Sequence, residues 1–387
     1  MNTLTVLGGA DIGGSCYLIE VDGVRILFDC GVRLNTSYTE HPDIPSPETI
    51  DLIFLSHAHI DHIGALPYAA AVCPNARIFA TSATRDFLRY QLSETIAGYI
   101  GADTDELRFS SCLLCRLILN RIETAEFHER REIRLRSPET GEERLVRFSF
   151  FPAGHIPGAA ATYLRIGSRS LLYTGDIDFR PTPLTDPCCL PEGLRPDILL
   201  LCGTYANRMQ VSEAAPTLAS IKQNFACLFR QNPRVLVRSG QLTKGLEMLA
   251  LIDDLIREKA MPACPVFLDE NLWQLARHFE LNSAFRLPSY MKPLSERTGE
   301  SYGEIVFLTP SAEKKNNDFP AHTPLNLNFS LHACGTELLS FVRALRPRKV
   351  FVVHAAPAKN AQITLADTLS ADGMSIITTE NERIYSL

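Results

Sequence analysis

The sequence lacks both a long apolar run and an amino-terminal segment of the kind that directs export. Residues 1–9 carry no basic stretch followed by a long apolar one, and no later run approaches the roughly 20 apolar residues that a membrane-spanning helix needs. Internal repeats and low-complexity tracts are also absent from the sequence. These absences predict a cytoplasmic protein with no membrane-spanning part.

An excess of positive charge is missing as well. The formal net charge is -6, whereas a protein that coats nucleic acid through bulk electrostatics needs a broadly basic surface to release counterions. Any polyanionic substrate must therefore bind at a local patch or at bound metal ions.

The cysteines show no pattern of pairing. There are 11 of them, scattered and odd in number, which indicates reduced thiols packed as small apolar side chains and not a disulfide framework. Cys112 and Cys115 form a C-x-x-C pair, but no second pair follows at zinc-ribbon spacing. Residues 110–122 are typical of a helix with both thiols on one face, so core packing is predicted for both.

What is present is an ordinary globular composition, with 45% hydrophobic and 21% charged residues over 387 positions. That length fits two domains, or one large α/β body with an insertion. The first third predicts hairpin strands, and an apolar strand over residues 51–55 ends directly at a histidine cluster. A helix over residues 61–72 is predicted to follow.

After Pro196 the pattern changes to apolar strands alternating with helical stretches. Continuously apolar strands in such an alternation indicate a parallel sheet, here as a separate lobe. Residues 285–301 and 314–320, rich in polar residues and proline, are predicted to be loops.

The most informative segment is Ser56-His57-Ala58-His59-Ile60-Asp61-His62. Imidazole nitrogens and a carboxylate are the usual ligands of zinc. Alternate residues after a strand point to one side, so His57 and His59 can serve one ion while Asp61 and His62 reach a second. Packing so many histidines together without a metal brings no evident gain.

His155, Asp176 and His354 are distant in sequence but share one context. Each immediately follows an apolar strand, and strand ends on one edge of a sheet converge in space, where α/β folds commonly place their sites. Each residue alone has an equally good explanation as an ordinary core or loop residue. The shared context makes them candidate ligands.

Several motifs resemble those of the β-CASP group of metallo-β-lactamase-fold nucleases, and in the same order. The resemblance is carried by residues 8–16 with Phe28-Asp29-Cys30-Gly31, by residues 55–67 around the histidine cluster, by Pro152-Ala153-Gly154-His155, by Tyr173-Thr174-Gly175-Asp176, by Phe329-Ser330-Leu331-His332 and by Val352-Val353-His354. It spans nearly the whole chain.

The resemblance implies an αββα sandwich at residues 1–203 and 326–387, interrupted at 204–325 by a shortened parallel α/β lobe. It also implies two zinc ions: one bound by His57, His59 and His155, the other by Asp61, His62 and His354, with Asp176 bridging. In that scheme the ions activate a water for in-line attack on a phosphodiester, Asp61 steers the water, and His332 donates a proton to the leaving oxygen.

Two departures from the family pattern concern the second lobe and its support. Cys202 stands where the family has an acid before Thr204-Tyr205, which predicts that His332 is a weaker acid here. The Gly-rich phosphate-contacting stretch that many members carry is missing near residues 306–320. Arg208 and Lys244 are the candidate substrate contacts, together with Arg238, Lys314 and Lys315, although a solvated surface position is the better explanation of any one of them taken alone.

The predicted function is a dinuclear zinc nuclease, with single-stranded RNA favoured over DNA as substrate by family frequency alone. A weakly active or inactive scaffold subunit of a processing complex is the alternative, motivated by Cys202 and the short lobe. Hydrolysis of a small ester or lactam is disfavoured by the second lobe and His332. A homodimer or a larger protein complex is left open.

Overall fold

The computed structural model describes most of the chain. The described residues are 2–34, 39–99, 105–136, 141–208, 218–239, 242–282, 285–299, 301–309, 312, 319–327, 329–356 and 365–387. They form two compact units. The first consists of Met1–Arg180, Asp186–Ala214 and His332–Leu387, and the second of Pro181–Thr185 and Ala215–Leu331.

The first unit contains two seven-stranded sheets. The strands of sheet one are β1 (Thr3–Gly8), β2 (Cys16–Val21), β3 (Val24–Phe28), β6 (Leu52–Phe54), β7 (Arg77–Ala80), β8 (Ile122–Thr124) and β21 (Arg383–Ser386), in the order β21-β1-β2-β3-β6-β7-β8. The strands of sheet two are β9 (Arg131–Arg136), β10 (Glu143–Pro152), β11 (Ala160–Ile166), β12 (Arg169–Tyr173), β13 (Ile198–Cys202), β19 (Lys349–Val353) and β20 (Ser375–Thr378), in the order β20-β19-β13-β12-β11-β10-β9. A small ribbon pairs β4 (Arg33–Leu34) with β5 (Thr39–Glu40).

Helices connect or follow these strands. They are α1 (Ile60–Ile63), α2 (Leu66–Val72), α3 (Ser82–Tyr99), α4 (Asp105–Asn120), α8 (Gly335–Leu345) and α9 (Leu365–Ala371). A single hydrophobic core contains side chains from both sheets. The ring centroids of Phe54 in sheet one and Phe148 in sheet two are 4.9 Å apart, and those of Phe28 in sheet one and Tyr173 in sheet two are also 4.9 Å apart. The predicted α/β sandwich is confirmed.

The second unit is built on one parallel sheet. Its strands are β14 (Arg234–Arg238), β15 (Val266–Leu268), β16 (Met291–Pro293), β17 (Glu304–Leu308) and β18 (Thr323–Asn326), in the order β16-β15-β17-β14-β18. Its helices are α5 (Leu218–Gln231), α6 (Leu242–Arg257) and α7 (Glu270–Asn282). All of its strand pairs are parallel, as the continuously apolar strands predict.

Three local predictions are wrong. The helix predicted over residues 61–72 is two helices, because Pro67 has no amide hydrogen and its ring excludes the carbonyl of Ile63 four residues earlier. The loop predicted over residues 285–301 contains β16, a three-residue strand at the edge of its sheet. Its last residue is Pro293, which an edge strand tolerates because proline has no amide hydrogen to donate. Cys112 is exposed and Cys115 is buried, because the buried stripe of α4 runs through Ser111, Cys115 and Ile118.

Candidate metal centre

The histidine cluster lies where β6 ends. Strands β3 and β6 are parallel neighbours in sheet one, and β12, β13 and β19 are parallel neighbours in sheet two. Strand β10 runs in the same direction as β12, because each pairs antiparallel with β11 between them. The carboxyl ends of these strands therefore deliver their loops to one edge of the sandwich, as expected for α/β folds.

The structure brings all seven predicted ligands together as two groups. His57, His59, His155 and Asp176 form one group, and Asp61, His62 and His354 form the other. Within each group the potential ligand atoms lie within 4.8 Å of one another. The seven residues come from four strand ends: four of them follow β6, and His155, Asp176 and His354 follow β10, β12 and β19.

Asp176 lies between the two groups. Its Oδ2 is 3.9 Å from Nε2 of His57 and 3.8 Å from Nε2 of His155 in the first group. In the second group, Nε2 of His62 is 3.6 Å from Oδ2, and Nε2 of His354 is 3.9 Å from Oδ1. One carboxylate thus faces nitrogen atoms of both groups.

A second carboxylate, that of Asp29, orients the histidines from behind. Its Oδ2 accepts hydrogen bonds from the Ser56 hydroxyl at 2.7 Å and the Tyr173 hydroxyl at 2.5 Å, and lies 2.8 Å from Nδ1 of His62. The Ser56 oxygen is in turn 3.0 Å from Nδ1 of His57. Because both rings engage these partners through Nδ1, their Nε2 atoms are left to face the centre.

His354 and Asp61 are fixed by the glycine-rich loop after β1. Nδ1 of His354 lies 2.9 Å from the Ser15 hydroxyl, and the Ser15 amide donates to the Asp61 carbonyl at 2.8 Å. A β-carbon on Gly31 would lie 1.8 Å from that carbonyl oxygen. Glycine is required at position 31 because the main chain passes so close to Asp61.

The electrostatics of the cluster are strongly perturbed. Burial and the neighbouring imidazoles hold the pKa of His57 well below its ordinary value. Burial opposes ionisation of His62 too, but Asp176 and Asp29 outweigh it and raise the pKa of His62 to about 9. Although burial opposes its ionisation, the surrounding histidines hold the pKa of Asp176 well below its usual range.

The residues present fit zinc. Nε2 of His57 and of His62 are buried and have no hydrogen-bond partner among the described residues, although buried polar atoms are normally paired. Ligand bonds of about 2.0–2.2 Å place two zinc ligands roughly 3–4 Å apart, which is the spacing found around Asp176. Nitrogen and carboxylate donors are also the set that zinc prefers.

His332 lies at the side of the first ligand group. Its Nδ1 is 3.7 Å from Oδ2 of Asp176, its ring is 4.4 Å from that of His155, and Tyr205 packs edge-on at 5.4 Å. Burial and the His155 imidazole hold the pKa of His332 well below its ordinary value. These surroundings disfavour the charged imidazolium at this position.

Comparison with known families gives this centre its context. The Metallo-beta-lactamase superfamily matches residues 9–224, which is more than half of the chain and includes six of the seven clustered residues. This chain belongs to the metallo-β-lactamase superfamily. A second family, the Zn-dependent metallo-hydrolase RNA specificity domain, matches residues 325–378 and includes His332 and His354. The resemblance to the β-CASP group is confirmed.

Two relatives and one solved structure are similar to the chain. Cleavage and polyadenylation specificity factor 73 of Drosophila melanogaster is 29% identical over 252 residues, covering 64% of this chain and 34% of the relative. An RNase J-like protein of Methanocaldococcus jannaschii is 26% identical over 268 residues, covering 68% and 57%. This chain thus matches only about a third to somewhat over half of these relatives' lengths. A protein of unknown function from Enterococcus faecalis V583 shares the fold, with a TM-score of 0.62 at 15% identity over 100% of both chains.

The predicted substrate contacts meet different surroundings. The Arg208 guanidinium lies 4.0 Å above the Tyr205 ring, next to His332. Lys244 belongs to the second unit, where its ammonium lies 5.5 Å from the Phe329 ring and burial lowers its pKa. Lys314 and Lys315 lie outside the described residues.

Cys202 is buried at the end of β13. Its amide donates to the Thr174 hydroxyl at 3.0 Å, and its thiol lies 3.8 Å from the Tyr173 hydroxyl in the core of the metallo-β-lactamase sandwich. Burial raises the pKa of the Cys202 thiol well above its ordinary value. It is a neutral core side chain, so it supplies no charge where the family pattern has an acid.

Sequence reasoning gave no role to Asp29, Ser15 or Ser56, the three side chains that orient the histidines. Asp29 follows a buried strand, as His155 and Asp176 do, and that context was the available signal. Its left-handed backbone, with φ of 58°, marks an unusual turn but is visible only in the structure. Across the described helices, none has both the length and the apolarity needed to cross a membrane.

Proposed function

We propose that this chain is a dinuclear zinc phosphodiesterase that cleaves RNA. The observation that carries the proposal is the shared carboxylate of Asp176, which faces two groups of potential ligands at once. In this assignment His57, His59 and His155 hold one ion, while Asp61, His62 and His354 hold the other. Asp176, whose carboxylate faces both groups, would be shared between the two ions.

When bound, the ions supply a hydroxide nucleophile near neutral pH and positive charge beside the attacked phosphate. The side chains around them do the rest. Asp61 is less buried than its neighbours, with 29% of its side chain exposed, and it orients the attacking water. His332, whose Nδ1 lies 3.7 Å from Oδ2 of Asp176, passes a proton to the leaving oxygen.

The substrate proposal comes from the relatives and from the edge of the site. The names of two relatives, a cleavage and polyadenylation factor and an RNase J-like protein, refer to RNA processing, which favours RNA over DNA. Arg208, whose guanidinium lies 4.0 Å from the centre of the Tyr205 ring that packs against His332, is suited to contact a phosphate of the same strand. Lys244 is proposed as a weaker second contact, on charge alone.

The organisation of the protein is proposed on the same basis. We assign residues 1–203 and 326–387 to the metallo-β-lactamase domain and residues 204–325 to the inserted β-CASP-type lobe. A cytoplasmic location, and membership of a protein complex or a homodimer, are proposed from the sequence and the relatives' names.

The proposal predicts that purified protein carries about two zinc ions per chain and cleaves labelled single-stranded RNA. A chelator is expected to abolish cleavage, and added zinc to restore it. Asp176→Ala is expected to lower kcat at least about a thousand-fold. The ions stabilise the transition state by several kcal/mol, and each loss of about 1.4 kcal/mol of stabilisation lowers the rate roughly tenfold. Metal analysis and a single-turnover cleavage assay measure both.

Asp372→Ala is the matched control. Asp372 is an exposed aspartate of the same unit, paired with Arg343, and its loss is expected to leave zinc content and cleavage unchanged. Zinc content near zero after gentle purification, or cleavage that survives both chelation and Asp176→Ala, would refute the proposal.

The second candidate function is a weakly active or inactive scaffold subunit, favoured by Cys202. A buried neutral thiol stands where an acid supports the histidine in the family pattern, and replaced supporting residues often reduce activity more than structure. Single-stranded and duplex RNA and DNA should be screened with zinc-loaded protein. Full zinc content without cleavage of any of the four would select the scaffold.

A further inference from the structure

The segment that follows Asp176 joins two other loops of the site. The Asp178 amide donates to the Ala153 carbonyl at 3.0 Å, two residues before His155. On the other side, the Ala333 amide donates to the Ile177 carbonyl at 2.7 Å, immediately after His332. This segment therefore ties the loop of a proposed ligand to the loop of the proposed proton donor.

Arg180 adds a side-chain contact to the same loop. Its Nε and Nη2 donate to the two carboxylate oxygens of Asp178 at 2.8 Å each, and its Nη2 also donates to the His332 carbonyl at 2.7 Å. Asp178 is only 1% exposed. Fork-shaped pairing of this kind fixes orientation as well as distance.

The two contacts bracket one peptide unit. The His332 carbonyl is held by Arg180, and the next amide, that of Ala333, is held by Ile177. With both polar groups of that peptide engaged, the main chain of His332 cannot turn without breaking a hydrogen bond. That peptide fixes the main-chain position from which the imidazole extends toward Asp176, 3.7 Å away.

We propose that Arg180, held in place by Asp178, is a positioning residue for His332. The inference rests on the proposed function, in which His332 passes a proton to the leaving oxygen. Arginine suits this role because one planar guanidinium can satisfy a carboxylate and a carbonyl together, whereas the single ammonium of lysine has no such fixed fork. Arg180 itself need not touch the substrate.

The test compares zinc-loaded wild type with Arg180→Met, Arg180→Lys, His332→Ala and the double variant Arg180→Met/His332→Ala. Arg180→Met is expected to lower kcat for RNA cleavage about 10- to 100-fold with KM within about twofold, because a displacement of about 1 Å costs that much rate. Arg180→Lys is expected to recover part of the loss. In the His332→Ala background, Arg180→Met should change kcat less than about twofold.

A second readout does not depend on turnover. With nitrogen-labelled histidine, the ring signals that disappear in His332→Ala identify His332, and these signals are expected to shift in Arg180→Met. Zinc content and the melting temperature are measured in parallel. Arg180→Met could fail to fold because Asp178 is left unpaired. In that case the double variant Arg180→Met/Asp178→Asn, which removes both charges, takes the place of Arg180→Met in the series.

Arg77→Met is the matched control, because Arg77 forms the same two-pronged pair with Glu123 at 2.7 Å for each contact, with about half of each side chain exposed. It should leave kcat and the His332 signals unchanged. Equal slowing by Arg180→Met in both backgrounds, or slowing without a shift of the His332 signals, would overturn the positioning role and leave the proposed function standing. Equal kcat in wild type and His332→Ala would remove the proton-donor role and the positioning role together.

Discussion

The metal centre of the first unit and the interior of the second unit both bury ionisable side chains, but they satisfy them differently. In the metal centre, Nε2 of His57 and of His62 face a shared carboxylate and have no hydrogen-bond partner among the described residues. In the second unit, Arg297 donates to the fully buried carboxylate of Glu304 at 2.7 and 3.1 Å. Nε2 of His322 lies 3.1 Å from the same carboxylate, although neither ring nitrogen of His322 has a hydrogen-bond partner among the described residues.

Two other buried acids of the second unit also accept hydrogen bonds from groups of that unit. Asp269 accepts the amides of Leu272 and Thr309 and so anchors the start of α7. Glu247 accepts the hydroxyls of Thr182 at 2.6 Å and Thr185 at 3.2 Å through Oε1, while its buried Oε2 has no hydrogen-bond partner among the described residues. Burial raises its pKa to about 7. Neither burial nor a single unpaired atom therefore marks a site; several buried nitrogens that converge on one carboxylate do.

The largest effect is expected from breaking the ion pair of the second unit. Arg297→Met leaves Glu304 buried without its main partner, so the free energy of unfolding should fall by about 3–5 kcal/mol. Denaturant unfolding measures the loss, and zinc content should stay unchanged because the pair has no part in the metal centre. Arg257→Met is the control: Arg257 is 67% exposed in its pair with Asp253, and about 1 kcal/mol or less is expected. A loss of zinc with Arg297→Met would contradict the contrast between the two regions.

A smaller effect, dependent on pH, is expected at Glu247. Because its folded-state pKa is raised from 4.5 to about 7, the folded chain holds a proton that the unfolded chain releases, and stability falls as the pH rises between these values. Glu247→Gln should remove this fall and gain about 3 kcal/mol at about pH 8 compared with about pH 4. Unfolding curves at both values test the difference.

Glu258→Gln serves as the control for that series. Glu258 follows the same helix, pairs with Lys222 and is 56% exposed, so its substitution should not change the pH dependence. Parallel pH profiles for wild type and Glu247→Gln would show that Glu247 is not protonated in the folded state.

The smallest effect is expected behind the metal centre. Asp29→Asn keeps the shape of the side chain but removes the charge that accepts from Ser56, Tyr173 and His62, so zinc affinity should fall about 10- to 100-fold. Competition with a chelating dye measures the affinity. Asp51→Asn, at a carboxylate that accepts the Arg25 amide in the same sheet, should leave it unchanged. If Asp29→Asn and Asp51→Asn bind zinc with equal affinity, groups other than the Asp29 carboxylate orient His62.

The clustering of the seven residues could be predicted from the sequence because each follows an apolar strand, and strand ends leave little freedom in where the next side chain lies. His57 and His354 illustrate this: the two strands before them belong to different sheets, yet both end at the same edge. Parallel strands in the second lobe were predictable for a different reason: continuous apolar runs imply that a strand is buried on both faces of its sheet.

What escaped prediction depends on contacts between distant segments. The support of His62 by Asp29 crosses 33 positions, and the contact of Tyr173 with Asp29 crosses 144. No local pattern encodes such distances. The break between α1 and α2 and the edge strand β16 were missed for a simpler reason, since helical spacing concealed the effect of Pro67 and a three-residue strand has almost no pattern.

The hydroxyl of Tyr173 reaches Asp29 from the opposite sheet of the sandwich. One carboxylate therefore links the two sheets, and the histidines that it orients can keep their orientation only while the two sheets stay packed together. Loss of the ion and opening of the sandwich should then be a single event, so that bound zinc reports on the integrity of the whole first unit.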